Sequence, residues 1–360
     1  MPSRTIETLD ALISRVVAED ARKYDVIADT RRMSVELEED KTLVVLDRPL
    51  QSPDVFDLTP HALGQISTDL GIPKRYFDRM RETAPDLFRD NVHHWLYNEP
   101  KARMVRGYLN PSDQMTGRAW MSDKFRRLDN VEIARTLLPE FESLAFPVEF
   151  HQAAITDTRF YVRALFPTIE RSVKKVGDIV RWGVSIENSE IGAGSLKISG
   201  FMVVLQCTNG MVASKVLNAR HVGKRADEGI LSNEALAADD VAFWLAARDT
   251  LRATCSEAAF AEVCERLEGL SDVPVVSPVA ATRVLGNDVG LTEDEQEAVM
   301  LSLAADPNRI GRGQWGMLNA ITAVAQTVES FDRQAELESI GWQVAQMAPS
   351  AWDRVATAVR

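Results

Sequence analysis

Apolar residues recur every three to four positions from Ile6 to Ala18, where Ile6, Leu9, Leu12, Ile13, Val16 and Val17 form one stripe, so the chain opens on a predicted amphipathic helix. Between Met33 and Leu46 the pattern changes to Val35, Leu37 and then Leu43-Val44-Val45-Leu46, a β-hairpin turning at Glu38-Glu39-Asp40-Lys41. Thr59-Pro60-His61 supplies a cap and a first-turn proline for a helix that Gly71 ends, and Pro73 to Arg81 starts another. This pair has the length of a helix-turn-helix DNA reader, with Lys74, Arg75 and Arg79 on its second helix. The spacing of Leu63, Ile66, Leu70, Tyr76, Phe77 and Met80 favours the plainer reading, two connector helices packed on the core.

Strand patterns follow. Ala102 to Leu109 and Arg118 to Met121 flank the polar turn Asn110 to Gly117, as expected of a hairpin, and a helix from Asn130 to Leu138 precedes a strand from Val148 to Thr156. In Thr158 to Phe166 strict alternation puts Arg159, Tyr161 and Arg163 on one face and Phe160, Val162, Ala164 and Phe166 on the other. Ile179 to Ile186 behaves likewise, with Val180, Trp182, Val184 and Ile186 opposite Arg181 and Ser185. Leu196 to Thr208 reads as the longest strand and Met211 to Val216 as its return partner, joined by the hairpin turn Asn209-Gly210.

After Gly229 the chain becomes alanine-rich, acidic and helical. Helices are predicted over Asn233 to Thr254, Ser256 to Leu267, Gln314 to Ser330 and Gln334 to Met347; Thr292-Glu293-Asp294-Glu295 is a capping-box start for one more, ended by Asp306-Pro307. Ser271 to Thr282, with Pro274 and Pro278, is the linker candidate. The expected fold is therefore α+β, a twisted antiparallel sheet with packed helices followed by a helical C-terminal region. Its parts are an N-terminal unit of helices and a β-hairpin (1–100), an antiparallel β core with a basic face (101–229) and an acidic helical region (230–360).

Composition narrows the class. With 360 residues, 45% apolar and 26% charged, the chain is long enough for one large domain or two ordinary ones and is neither disordered nor fibrous. The longest apolar run, Phe201 to Leu205, is far short of the roughly 20 residues that cross a bilayer. The N-terminus lacks the apolar stretch of a signal peptide, so no membrane partner and a cytoplasmic setting are expected. Three cysteines, Cys207, Cys255 and Cys264, form no Cys-x-x-Cys pair, which fits a reducing compartment. The net charge of -12 hides an asymmetry: residues 159 to 225 carry 11 basic against 4 acidic side chains, and residues 226 to 360 carry 9 against 22. A basic centre joined to an acidic half hints at a polyanion partner for one part of the chain.

Catalytic signatures are missing: there is no phosphate loop, no His-Glu-x-x-His, no Gly-x-Ser-x-Gly and no Gly-x-Gly-x-x-Gly after a strand. His61, His93, His94, His151 and His221 lack metal-ligand spacing, so neither a metal nor another cofactor is expected. Glu187 and Glu190, with Lys197, are the residues a metal-dependent nuclease would use. Between two predicted strands, the loop Asn188 to Ser195 holds Gly192 and Gly194, which can serve either a phosphate-cradling backbone or the turn alone.

The run Asn188-Ser189-Glu190-Ile191-Gly192, followed by a strand ending in Cys207-Thr208-Asn209-Gly210-Met211, resembles the core signature of the phage/plasmid-like protein family known as domain of unknown function 932. Gly313-Gln314-Trp315-Gly316-Met317-Leu318-Asn319-Ala320-Ile321-Thr322 resembles that family's C-terminal element, and the similarity spans roughly residues 30 to 325. The resemblance implies a gene carried by phages, plasmids and laterally transferred islands, with no agreed activity. Mobile elements often carry single-strand annealing proteins, which need a positive track for the backbone and faces on which bases stack, and no nucleotide cofactor. The expected function is thus ATP-independent binding and annealing of single-stranded DNA by a protein that assembles with itself into a ring or filament, with a host replication or repair protein as a further partner. Arg159, Tyr161, Arg163, Arg181, Lys197, Lys215, Arg220, Lys224 and Arg225 are the expected DNA track, Lys174 and Lys175 its closing loop, and Asn188, Ser189, Glu190, Gly192, Asn209 and Gly210 the family-motif loop. On this reading Arg159→Ala with Arg163→Ala weakens DNA binding without unfolding the protein. The alternatives are a counter-defence or regulatory interaction protein and a metal-dependent nuclease.

Overall fold

A computed structural model describes residues 8–38, 41–173, 178–205, 209–213, 218–219, 233–305 and 313–359. The first helix, α1 (Leu9–Asp20), is capped by the Thr8 hydroxyl, which accepts from the Ala11 N–H, and buries Leu12 and Val16. Six strands then build the first sheet: β1 (Lys23–Asp29), β2 (Met33–Glu38), β3 (Lys41–Leu46), β4 (Asp54–Leu58), β5 (Ala102–Leu109) and β6 (Met115–Ser122), in the order β1-β5-β6-β4-β3-β2. All neighbours are antiparallel except β4 and β6. The crossover between these two carries α2 (Pro60–Asp69), α3 (Lys74–Thr83) and α4 (Pro85–Asn98), because a parallel pair needs a long connection. Alternation sends Val35, Val44, Phe56, Val105 and Trp120 toward these helices, where they meet Leu63, Ile66, Phe77, Phe88 and Val92 in one apolar core. At the β2 edge, His93 of α4 lies 2.8 Å from the Val35 N–H and 3.2 Å from its carbonyl, covering backbone that would otherwise be free to pair.

The second sheet runs β11-β10-β9-β8-β7, with β7 (Glu149–Ile155), β8 (Phe160–Val173), β9 (Asp178–Asn188), β10 (Leu196–Val204) and β11 (Asn209–Ala213); β12 (Asn218–Ala219) pairs with the start of β10. Between the sheets lies α5 (Asn130–Thr136), followed by a 3₁₀ segment at Leu138–Ser143. Seven helices complete the described chain: α6 (Asn233–Thr254), α7 (Glu257–Glu268), α8 (Pro278–Val289), α9 (Glu293–Ala305), α10 (Gly313–Ala325), α11 (Phe331–Gln346) and α12 (Pro349–Ala356). One face of the sheet meets α6 and α7, where Trp182 stacks on Phe260 at 5.3 Å and donates its indole N–H to the Thr254 carbonyl. Across the other face lies α11.

The α+β class, the helical C-terminal region and most elements agree with the sequence pattern. The capping box is reciprocal: the Thr292 N–H donates to Glu295 and the Glu295 N–H to the Thr292 hydroxyl. Four expectations change. There are two sheets rather than one, because the Ala102 to Met121 hairpin pairs with β1 and β4 in the N-terminal unit. The longest strand is β8, at 14 residues. The supposed linker Ser271 to Thr282 already contains the first residues of α8. Finally, Asn209-Gly210 is not a turn: both residues sit in β11, opposite Val204 and Val203. There the glycine has another use, since a Cβ at Gly210 would fall 2.9 Å from the Phe201 ring.

Candidate functional site

The face predicted to hold a DNA strand is interior. Alternation along β8 does place Arg159, Tyr161 and Arg163 together, and cross-strand pairing adds Glu187 and Ser185 of β9 and Lys197, Ser199 and Phe201 of β10. But α11, some 170 residues downstream, covers this face with carboxylates. Arg163 is fully buried: its Nη2 lies 2.6 Å from Glu338, its Nη1 donates to Gln152 at 2.7 Å, and its cation rests 4.9 Å from the Phe201 ring and 5.3 Å from Phe331. Glu338, also fully buried, accepts from Gln334 and Gln326. Tyr161 is buried as well and donates to Asp332 at 2.9 Å, and Thr156 and Thr158 donate to the same carboxylate. Burial pushes the Tyr161 hydroxyl above its usual range. Arg159 is partly exposed, 3.6 Å from Glu336, and donates to the Ala193 carbonyl. On this face, then, two arginines of the basic centre are paired with carboxylates of the acidic half.

The first half of the Asn188 to Ser195 loop is interior too, whereas Gly192 is exposed. Asn188, Ser189, Glu190 and Ile191 are all buried where the end of β9 meets the first sheet. Asn188 donates to the Leu128 carbonyl and to Asn130, and Ser189 donates to the Thr158 carbonyl. Glu190 receives Lys23 at 2.6 Å, the Asn130 N–H at 2.7 Å and Arg118 at 3.4 Å. Beside it Arg106, buried in β5, donates to the Glu190 carbonyl and pairs with Asp129 and Asp25. Burial alone would raise the Asp129 carboxyl, but Arg106 and Lys23 outweigh it and hold the group below the usual carboxylate range. Likewise, burial would lower the Lys23 amine, but Glu190 and Asp129 raise it. His61 and Gln65 of α2 both reach the Ile191 carbonyl, at 2.9 and 2.8 Å. Gly192 has φ +78, and a Cβ there would sit 2.8 Å from Met121. The Glu190 carboxylate that the nuclease reading required is engaged by the chain itself, and the Ala193 N–H donates to the Ser189 hydroxyl. Glu187 pairs instead with Lys197 at 3.6 Å, so the two candidate carboxylates do not converge. Among the described residues no group of three or more His, Cys, Asp or Glu side chains is placed to hold a metal ion.

Of the remaining track, Arg181 is held by Glu170 at 2.6 Å. Lys174, Lys175, Lys215, Arg220, Lys224 and Arg225 lie outside the described residues, as do Cys207 and His221. The other two cysteines are buried, with burial pushing Cys255 up to about 12 and Cys264 up to about 11, so both are unreactive thiols.

Exposed positive charge with an aromatic gathers on α3 instead. Phe77 and Met80 anchor this helix, and the opposite surface presents Arg75 and Arg79, one turn apart, with Tyr76 on a flank at 47% exposure. Neither arginine has an ion-pair or hydrogen-bond partner among the described residues, whereas the other arginines of the first sheet and its helices are bonded to carboxylates or carbonyls. Two like charges at i and i+4 destabilise a helix, by roughly 0.2–0.5 kcal/mol, a cost with no internal return here. Next to α3 a groove of about 700 Å³ runs along α2, bounded by Lys74, Arg103 and the Trp120 to Ser122 stretch of β6. Arg103 forks onto Asp69 at 2.5 and 2.8 Å, and the Trp120 indole donates to the same carboxylate at 3.0 Å. Burial would raise Asp69, but these donors outweigh it and hold it below the usual range. The apolar stripe predicts Tyr76 in the core, but it is exposed, and the sequence signal of this surface is the i, i+4 pair of arginines.

No family model, curated protein or solved structure matches the chain. Among the described residues no helix is long and apolar enough to cross a membrane.

Proposed function

We propose that the protein binds nucleic acid without a cofactor, single-stranded DNA first, and promotes annealing in the cytoplasm of a cell carrying the mobile element that encodes it. The observation that carries this reading is the exposed, unpartnered Arg75–Arg79 pair flanked by Tyr76 on α3. Cations one helical turn apart match phosphate contacts, which dominate affinity for nucleic acid, and an exposed aromatic offers a stacking surface. The mobile-element setting rests on the motif resemblance alone, and self-assembly into rings or filaments and recruitment of a host replication or repair protein belong to the same proposal. The track is relocated from the second sheet to the N-terminal helices, where the charges along residues 61 to 158 are nearly balanced at 13 basic and 14 acidic.

A salt series of fluorescence anisotropy with a labelled single-stranded oligonucleotide, followed by addition of the complementary strand, tests the reading. Binding that weakens steeply with salt and needs no magnesium supports it; no binding at low salt overturns it. The competing reading, a protein-interaction factor, is favoured by one feature of α6, where Val241 and Leu245 lie exposed one turn apart. Absence of nucleic-acid binding would direct attention there.

A further inference from the structure

We infer that the groove along α2 is a slot for one unpaired base of the bound strand, so that the protein discriminates single strands from duplex. This rests on the nucleic-acid reading and adds the substrate form. The first observation is Gly64, in the middle of α2. It has no positive φ, and a Cβ there would meet only Lys74 Cε, at 3.7 Å. Glycine inside a helix is less stable than alanine, and nothing in the packing around Gly64 requires it. The position forms part of the groove lining, and leaving it bare keeps the groove open.

The second observation is that the opposite wall is fixed in advance. The Trp120 N–H donates to Gln65 at 2.8 Å and its indole to Asp69, which Arg103 grips in turn, so the β6 side of the groove is held at both ends of its tryptophan. The walls are thus fixed in advance around a groove of about 700 Å³ that is broad and open to solvent, suited to a flat group laid against it rather than to an enclosed ligand. Charge completes the fit. Lys74 and Arg103 line the groove with one carboxylate, Asp69, while Lys101, Asp78 and Asp123 stand around it, so its own charges are close to balanced and the net positive charge comes from the free arginines of α3 beside it. A phosphate seated there would lie next to a base entering the groove. In a duplex that base is stacked and paired, and extracting it costs a few kcal/mol; a single strand presents it freely.

The test is fluorescence anisotropy of the full chain with a labelled oligothymidylate and with a blunt duplex of equal length, comparing wild type, Gly64→Phe, Gly64→Ala and the double variant Arg75→Ala with Arg79→Ala. The expected result is that Gly64→Phe, which fills the groove, weakens oligothymidylate binding roughly tenfold or more and leaves duplex binding unchanged, whereas Gly64→Ala binds as wild type. A folded Gly64→Phe protein that binds oligothymidylate like wild type overturns the slot, while loss of affinity in the arginine variant keeps the broader reading. If wild type binds neither probe, the nucleic-acid reading fails and the slot with it; if wild type binds but the arginine variant loses nothing, the strand does not run over α3 and the slot beside it is overturned. Should Gly64→Phe fail to fold, Thr68→Tyr fills the groove from an exposed position one turn along α2, with the same outcomes.

Discussion

Two stretches of five residues carry nearly the same side chains: Arg75, Tyr76 and Arg79 on α3, and Arg159, Tyr161 and Arg163 where the chain enters β8. The first trio is exposed with both arginines unpartnered, and the second is packed beneath α11 with both outer members paired to its carboxylates. On the strand, period two assembles the trio on one face, and a face is large enough to be covered by another element. On the helix, period 3.6 turns the arginines directly away from Phe77 and Met80, so the packing that fixes α3 also guarantees their exposure. Local periodicity therefore tells which residues share a surface. Whether that surface is wet depends on elements far away in sequence.

The largest effect that would test the contrast is Arg163→Ala. It leaves Glu338 buried without its cation, and removing one partner of a buried ion pair costs about 3–5 kcal/mol. Thermal unfolding should show a large fall in Tm, against the sequence expectation that an Arg159→Ala and Arg163→Ala protein stays folded. Replacing Arg163 and Glu338 together by Met and Leu should recover most of the loss. An unchanged Tm for Arg163→Ala would mean that α11 does not cover this face in solution.

A smaller loss is expected on acidification. Asp69 and Asp129 are held below the usual carboxylate range, so the unfolded chain binds protons that the folded one refuses. Their contribution is complete above the unfolded pKa of about 3.9 and disappears as pH falls through the lower folded values, over a window beginning near pH 5. Urea midpoints measured from pH 7 downward should decline there, and Asp129→Asn should flatten the decline. Smaller still is Gly64→Ala, expected to stabilise by about 0.5–1 kcal/mol; a destabilised variant would show that the glycine serves packing. The smallest change in stability, within about 0.5 kcal/mol, belongs to Arg75→Ala with Arg79→Ala. In that variant the logarithmic salt slope of DNA binding should drop by roughly 1 to 2.

Much of the fold was legible where a segment's own chemistry decides it. Thr59 and Ser256 cap their helices as their positions suggest, and β2 and β3 pair antiparallel with Glu38 opposite Lys41, as a hairpin turning at 38–41 requires. The helix α4 went unrecognised although Phe88, Val92 and Leu96 recur at four-residue spacing behind Pro85, a signal present in the chain. β1 was harder to see: Lys-Tyr-Asp-Val-Ile-Ala-Asp alternates, but with charges too dense for a confident strand. The second sheet's basic face and the Asn188 to Ser195 loop were misplaced for one reason. Their partners, Glu338, Asp332, Lys23 and Arg118, lie about 70 to 180 residues away, and pairing over that distance leaves no local mark. The candidate surface on α3 is marked in the sequence by a like-charged i, i+4 pair, but the apolar stripe beside it accounts for the helix without it.

The covering of β8 by α11 also fixes an order of events during synthesis. The first sheet has all six strands once Ser122 has been made, whereas β8 begins at Phe160 and its cover ends only at Gln346. At roughly 5–20 residues per second, the ribosome needs on the order of ten seconds or more to supply that helix. A second sheet that formed in that interval would leave Tyr161, Arg163, Leu165, Phe201 and Val203, all buried in the finished fold, without that cover. A message cut short before Phe331 would release a protein whose N-terminal half is finished and whose middle stays uncovered.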